Sequence, residues 1–390
     1  MTISFWQDVQ ESKSTEEFDV LIVGAGIAGS DAAYWLGKRH DLSVAVIDGG
    51  LVGEGASGRS NGFVMRGVMA YYNKLVKACG RQLAQWVLHF NEETQNHLTD
   101  FAELYGNTFA YDRSGSYLLA ASIDELQDLA ESAQLMAEDG FKSEYLRSDP
   151  VDRGFYGALY NSGDIGVNPV ALIKALLAAS KATVYENEQV YKVDWANNQA
   201  LLHTQKRLLS APRVLLCTNA FLPLMFSDFA ATLKVVRGQI LVTRPFGEKI
   251  VDKLCYANYG YDYFRQLPDG RLLLGGCREP FNEEETGFAD AVTRHVQGAL
   301  QHYLRDKFPE VAGSTIDYRW SGTMCFTPDG LPIIGEHHDK PGVVYLAGCN
   351  GHGLGYSLAL SKLLVDFALD GAKLGPFDGR RLMSANHLTR

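Results

Sequence analysis

Gly24, Gly26 and Gly29 stand at G-x-G-x-x-G spacing directly after an apolar run, Val20 to Val23. Each glycine has a physical use in dinucleotide binding. Gly24 permits a tight turn, Gly26 lets the backbone approach a pyrophosphate, and Gly29 lets helix and strand pack closely. The residues that follow put Ala28, Ala32, Ala33 and Leu36 on one helical face. A pyrophosphate at that helix's start meets free N–H groups and the positive end of the dipole. A second apolar run, Val44 to Ile47, ends in Asp48, where an acid would bind ribose hydroxyls. Strand, glycine turn, helix, strand and terminal acid agree on one dinucleotide-binding unit.

Two further glycine-rich segments fit a ligand on that unit. The loop from Gly49 to Phe63 holds six glycines and little bulk, so its backbone can lie against a ligand and donate N–H groups. Near the end, the strand Val343 to Ala347 runs into Gly348-Cys349-Asn350-Gly351-His352-Gly353-Leu354-Gly355 and a helix from about Tyr356 to Leu369. A second helix N-terminus aimed at the same ligand would stabilise the anion of a reduced flavin ring at its N1–C2=O edge. His352 reads equally as a structural hydrogen-bonder and as a flavin contact.

These segments need a scaffold, and composition bounds it. The chain has 390 residues, 46% hydrophobic and 21% charged, enough for two domains. Its net charge of −10 gives no electrostatic case for nucleic acid. No apolar run approaches the ~18 residues of a membrane span, so no membrane partner is expected. The polar, acid-rich start reads as a short arm without a signal peptide. Six scattered cysteines without C-x-x-C read as reduced thiols in a cytoplasmic protein. No metal is expected.

The remaining elements follow from pattern. Leu75 to Leu104 and Ser122 to Ala137 read as helices, with Thr108 to Ala121 alternating like a strand between them. Asn168 caps a helix opened by Pro169. Ala182 to Val193, Leu201 to His203 and Val214 to Cys217 read as strands, and Leu233 to Leu274 as antiparallel sheet. Asp290 to Phe308 reads as a helix.

Five motifs in one order now carry a likeness: GAGIAG, GEGASGRSNG, VLLCTNAF, WSGTMCFTPDGLPIIG and GCNGHGLG. The chain resembles the FAD-dependent oxidoreductases of the D-amino acid oxidase and glycine oxidase family over nearly its whole length. The segment Asp262 to Gly276, with GEGASGRSNG, is similar to the γ-glutamylputrescine oxidase branch, which oxidises amines. The resemblance implies an α/β fold. A doubly wound FAD-binding domain of the glutathione-reductase-like Rossmann type would take residues 1–80, 151–222 and 322–390. A substrate domain with a mostly antiparallel sheet would take residues 81–150 and 223–321. It also implies that Ser57, Arg59, Ser60 and Asn61 contact the flavin, that Thr218 lies near the cofactor, and that the Val190 backbone faces the adenine. Gly351, His352, Gly353 and Leu354 would line the flavin's pyrimidine edge.

Two departures from the family shape the expected chemistry. Amino-acid-oxidising branches follow W-x-G with Leu-Arg, and that arginine holds the substrate carboxylate; here Trp320-Ser321-Gly322 is followed by Thr323-Met324. A thioether cannot replace a bidentate guanidinium, so a free α-amino acid is not the expected substrate. Sarcosine oxidase links its flavin through a cysteine seven residues before the Pro-Asp aspartate, where this chain has Gly322. Noncovalent FAD is therefore expected, with Cys325 packing or facing the pocket.

The leading expectation is oxidation of a C–N bond of an amine by hydride transfer to flavin N5, in a pocket drawing on Tyr259, Tyr261, Tyr263, Arg265, Met324 and His352. The alternative also fits a missing arginine. Similar flavoproteins modify a precursor quinoprotein to complete its cysteine tryptophylquinone cofactor, and a protein side chain brings no free carboxylate. A disulfide reductase is disfavoured, since the chain lacks a second G-x-G-x-x-G unit and a redox C-x-x-C.

Overall fold

Val20–Val23 (β1) is apolar and buried at all four positions. Successive strand side chains point to opposite faces, so such a strand needs cover on both. In the computed structural model, which describes residues 15–39, 41–68 and 70–383, both covers are present. Val20 and Ile22 share a core with Ala32, Ala33 and Leu36 of helix Ile27–Gly37 (α1). Leu21 and Val23 share another with Leu202 and Leu209 of a four-stranded sheet. Most of the expected N-terminal arm, residues 1–14, lies outside the described residues. Its end, Thr15–Glu17, forms an edge strand of that small sheet, parallel to Leu208–Ala211.

Around β1 a six-stranded sheet is wound in both directions. On one side α1 leads to Val44–Ile47 (β2), parallel to β1 with Val20 opposite Val44. Helix Pro169–Ser180 (α2), capped as expected by the Asn168 side chain, leads to Thr183–Tyr185 (β3) beyond β2. On the other side lies Arg213–Leu216 (β4), also parallel to β1. The far edge is Ile333–Glu336 (β5), antiparallel to Val343–Ala347 (β6), which pairs with β4. Helix Gly353–Asp370 (α3) leaves β6 and packs against α1. The glycine turn after β1 and the glycine loop after β6 both sit at carboxyl ends of strands, where open α/β sheets bind ligands.

The second sheet has eight strands. Its pairs are antiparallel except Leu254–Ala257 with Ser116–Leu119. Its longest pair, Lys234–Thr243 with Ile316–Phe326, sets Gly238 opposite Gly322 and Val236 opposite Met324. The chain thus has the α/β fold expected, a cofactor domain plus a domain with a mostly antiparallel sheet.

Some expected elements change at particular residues. The helix expected over 75–104 is two helices, Tyr72–Cys79 and Arg81–Tyr105, broken where Gly80 takes φ +84°. The strand expected over 108–121 contracts to Ser116–Leu119. The run 182–193 divides into β3 and Val190–Ala196, strands of different sheets, with Asn187 at φ +54° between them. Ala158–Asn161 pairs within the eight-stranded sheet, and Arg81–Tyr105 packs on α3.

Candidate active site

A cavity of about 600 Å³ runs from the glycine turn after β1 to the face of the eight-stranded sheet. At its first end, Gly24 takes φ +107°, and a Cβ there would lie 2.7 Å from the Cys217 carbonyl oxygen. A Cβ on Gly29 would lie 1.8 Å from the Gly24 carbonyl oxygen, so Gly29 serves packing and does not line the cavity. Gly26 does line it, at the cap position of α1. Ser57 Oγ accepts the Ile27 amide at 3.0 Å, which satisfies one donor at the helix start. Asp48 Oδ2 accepts the Ala25 amide at 2.7 Å, and Oδ1 accepts the Gly50 amide at 2.8 Å. The carboxylate thereby fixes the glycine turn while its remaining lone pairs line the cavity. Val190 stands on the wall at this end.

The middle of the cavity is built by the loop after β2. Arg59 is engaged on three sides: Nη1 pairs with Asp290 at 2.7 Å and donates to the Ser321 carbonyl, and Nε donates to the Glu54 carbonyl. Ser60 Oγ donates to the Ser57 carbonyl, and Asn61 Oδ1 accepts the Phe63 amide. Opposite, Thr218 lines the cavity, and its buried hydroxyl has no hydrogen-bond partner among the described residues.

The far end rests on a sheet face cleared by glycine. Gly238 and Gly322 sit opposite each other with no side chains between the strands and the cavity. A Cβ on Gly238 would lie 3.0 Å from Met324 Cε and 3.7 Å from the Tyr263 hydroxyl. A Cβ on Gly275 would lie 2.2 Å from the Tyr263 ring, so that ring lies over Gly275. Tyr256 meets Tyr263 edge-on at 5.8 Å and stands 6.1 Å from the His352 ring. Met324 Sδ is 3.4 Å from where a Cβ on Gly351 would be, which joins the sheet to the loop before α3.

His352 occupies the cap position of α3, and Gly351, Gly353 and Leu354 line the cavity with it. Its Nδ1 lies 3.0 Å from the Asn350 carbonyl oxygen. A carbonyl only accepts, so Nδ1 carries the proton and Nε2 is left as an acceptor. Burial pushes the imidazole below its usual range, which favours this neutral form.

The expected pocket residues separate. Tyr259, Tyr261, Tyr263, Met324 and His352 line the cavity. Arg265 does not, which corrects its expected catalytic place. Its side chain passes behind the wall, and Nη1 donates to the carbonyls of Asn61, Gly62 and Val167. Burial pushes its guanidinium down to about 10. Tyr263 and Arg265 share a strand face, but the long Arg265 side chain carries its guanidinium against the Phe63 ring, 5.9 Å from its centre, and Phe63 rather than Arg265 lines the cavity. Cys325 borders the cavity but is fully buried and packed in the apolar core with Val235 and Ala347, where burial pushes its thiol up to about 12.

Sequence reasoning missed Arg278, Tyr256, Gly238 and Phe326, which also line the cavity. Arg278 follows Gly276 and Cys277, both at positive φ, in a tight turn after Leu272–Gly275. Only the Gly275-Gly276 pair ahead of this cation is visible in the sequence; the positive φ of Cys277 is not. Asn219 was missed too; its Oδ1 accepts the Gly348 amide at 3.0 Å and ties the end of β4 to the end of β6. Asp228, His337 and His338 cluster elsewhere, but the His337 Nδ1 accepts the Asp339 amide at 3.2 Å. Its Nε2 therefore carries a proton toward Asp228 and is not poised as a ligand.

Residues 19–367 match the family described as FAD dependent oxidoreductase, DAO. The chain belongs to this family. Among relatives, γ-glutamylputrescine oxidoreductase of Escherichia coli is 25% identical over 370 residues, 89% of this chain and 83% of that protein. Glycine oxidase of Geobacillus kaustophilus is 25% identical over 365 residues, 90% of this chain and 93% of that protein. Two solved structures show the same fold. L-proline dehydrogenase from P. horikoshii superposes with a TM-score of 0.79 at 19% identity, covering 95% of this chain and 99% of the other. The G. kaustophilus glycine oxidase gives 0.76 at 22%, covering 93% and 98%.

The residues present fit the FAD of a DAO-family oxidoreductase. The first-turn amides of α1 and α3 open into one cavity, and such amides are anion sites. Thr218 keeps a buried hydroxyl that no group of the described residues satisfies, as expected of a group whose partner is a ligand. The volume lies within the ~300–1,000 Å³ usual for ligand sites. Among the described residues no helix is long and apolar enough to cross a membrane.

Proposed function

We propose that this oxidoreductase removes a hydride from the carbon beside the nitrogen of an amine, and that FAD is bound without a covalent link. The carrying observation is the far end of the cavity. There Met324 stands among Tyr256, Tyr263 and Gly351, where amino-acid-oxidising relatives would place a carboxylate-binding arginine. Bound FAD supplies the hydride acceptor, flavin N5. The chain's residues bind, orient and exclude water. The glycine floor of Gly238 and Gly322 leaves room for a flat ring and a small substrate, and the tyrosines enclose the amine. The neutral His352, with Nε2 as an acceptor, suits an amine N–H and needs no charged base.

The relatives named support an amine. One is named for γ-glutamylputrescine and another for glycine, and each of these compounds carries an amine. Six free cysteines support a reducing, cytoplasmic setting. The test is product analysis with butylamine and putrescine. Formation of the aldehyde and ammonia, at rates above those with glycine, supports the proposal, and no product from any amine would contradict it.

A second reading rests on the cavity mouth. Phe221, Leu224 and Phe288 line the cavity yet are 45%, 60% and 38% exposed. Exposed apolar side chains at a rim suit a protein surface. On this reading the substrate is a side chain of a precursor quinoprotein whose cysteine tryptophylquinone is being completed. Reduction of the flavin by that precursor and by no amine would favour it.

A further inference from the structure

Three basic side chains, Arg59, Lys192 and Arg278, line the cavity among the described residues. Arg59 is paired with Asp290 and Lys192 with Asp194. Arg278 differs. No carboxylate of the described residues lies within ion-pair distance, and its one polar partner is Asn282 Oδ1, which accepts from Nη1 at 3.0 Å. Its guanidinium is held between two rings instead, 4.9 Å from the centre of Tyr261 and 5.6 Å from that of Phe326. Two aromatic faces fix the plane of the group, and Asn282 occupies one end of it. The edge formed by Nε and Nη2 is left for another acceptor, and that edge matches the two oxygens of a carboxylate.

The position is at the substrate end. Phe326 Cζ is 3.9 Å from where a Cβ on Gly351 would be, on the same glycine that touches Met324 Sδ. Burial pushes the Tyr263 phenol up, and Arg278 lies close enough to oppose that shift in part. It stands one strand residue pair along from Met324, not at Met324 itself, since Phe326 and Met324 are successive residues on one strand face.

We propose that Arg278 is the anion-binding residue of this pocket and selects amines that carry a carboxylate away from the reacting carbon. This rests on reading the cavity as an amine-oxidising site. The two features then complement each other. Met324 leaves no partner for a carboxylate on the reacting carbon, and Arg278 supplies one farther along the substrate. Tyr261 and Phe326 hold the guanidinium in place before substrate arrives, which lowers the ordering needed on binding.

The test uses the FAD-loaded protein, its Arg278→Gln and Arg278→Lys variants, and three probes: 4-aminobutanoate, butylamine and butanoate. Anaerobic flavin reduction is followed with the two amines, and butanoate binding is measured by calorimetry. In the wild type, 4-aminobutanoate is expected to outcompete butylamine. Arg278→Gln is expected to lower kcat/KM for 4-aminobutanoate by about 10²-fold, mainly through KM, and to weaken butanoate by a similar factor. Butylamine should lose far less than 4-aminobutanoate, FAD should stay bound, and Arg278→Lys should restore part of the loss. Equal effects of Arg278→Gln on both amines, or butanoate binding that ignores the substitution, would overturn the proposal. Loss of FAD from Arg278→Gln would place the guanidinium on the cofactor and overturn it as well. If no amine reduces the flavin but butanoate binding depends on Arg278, the anion site stands and the amine-oxidising reading falls.

Discussion

Asp48 Oδ2 accepts a hydrogen bond from the Ala25 amide at 2.7 Å. The acid that ends the second strand thus grips the glycine turn that follows the first. Its other oxygen holds Gly50 at 2.8 Å, at the start of the loop that walls the cavity. One carboxylate aligns both segments before any ribose hydroxyl is presented to it.

Asp48→Ala should therefore act twice, removing an acceptor for the ribose and loosening the turn. Charge-assisted hydrogen bonds contribute about 1.5–3 kcal/mol each, so FAD affinity should fall by roughly tenfold or more. Asp48→Asn keeps an acceptor oxygen and should fall less. Fluorescence titration of the apoprotein with FAD measures both. Unchanged affinity in Asp48→Ala would show that the ribose is held elsewhere.

Flavin should be released by acid or heat. Gly322 offers no thiol, and Cys325 is buried in the apolar core with its thiol pushed up to about 12. A thiol held neutral is a poor nucleophile. Centrifugal filtration after denaturation should leave the yellow colour in the filtrate, and colour retained on the protein would refute a noncovalent cofactor.

Asp31 sets an expected pH dependence. It is fully buried on α1, and neither carboxylate oxygen has a hydrogen-bond partner among the described residues. Ser357 lies beside it on α3, but that hydroxyl donates to the Leu354 carbonyl at 3.1 Å. Burial raises the Asp31 carboxyl well above its usual range. The folded state then holds a proton that the unfolded state releases once pH passes about 3.8. Stability present below that pH is lost as pH rises toward the raised value. Asp31→Asn removes this loss, so its melting temperature should exceed the wild type's by a few °C at neutral pH. The gap should close toward about pH 4. A constant gap across pH would show that Asp31 does not titrate in this way.

The cofactor end was legible in sequence because it is local. Gly24, Gly26, Gly29 and Asp48 lie within a single strand–helix–strand unit, and their spacing is the geometry. The substrate end was less so. Gly238 and Gly322 matter only because antiparallel pairing sets them opposite each other, and Gly275 only because the Tyr263 ring lies over it. Such register is a long-range property. Arg265 shows the converse. Tyr263, two residues before it on the strand, lines the pocket, yet the Arg265 guanidinium serves the backbone of Asn61, Gly62 and Val167. A sequence gives the strand but not which way a long side chain leaves it.

Reduction of the bound flavin under anaerobic conditions tests the central claim most directly. Wild-type protein is mixed separately with glycine, D-alanine, sarcosine, putrescine, butylamine and 4-aminobutanoate, and loss of visible flavin absorbance is timed. With Met324 in place of an arginine, the α-amino acids forgo a bidentate pair, on the order of 10² to 10⁴ in rate. The expected result is slow or no bleaching by glycine, D-alanine and sarcosine and fast bleaching by at least one amine without an α-carboxylate. Rapid bleaching by a simple α-amino acid, with none by the amines, would contradict it.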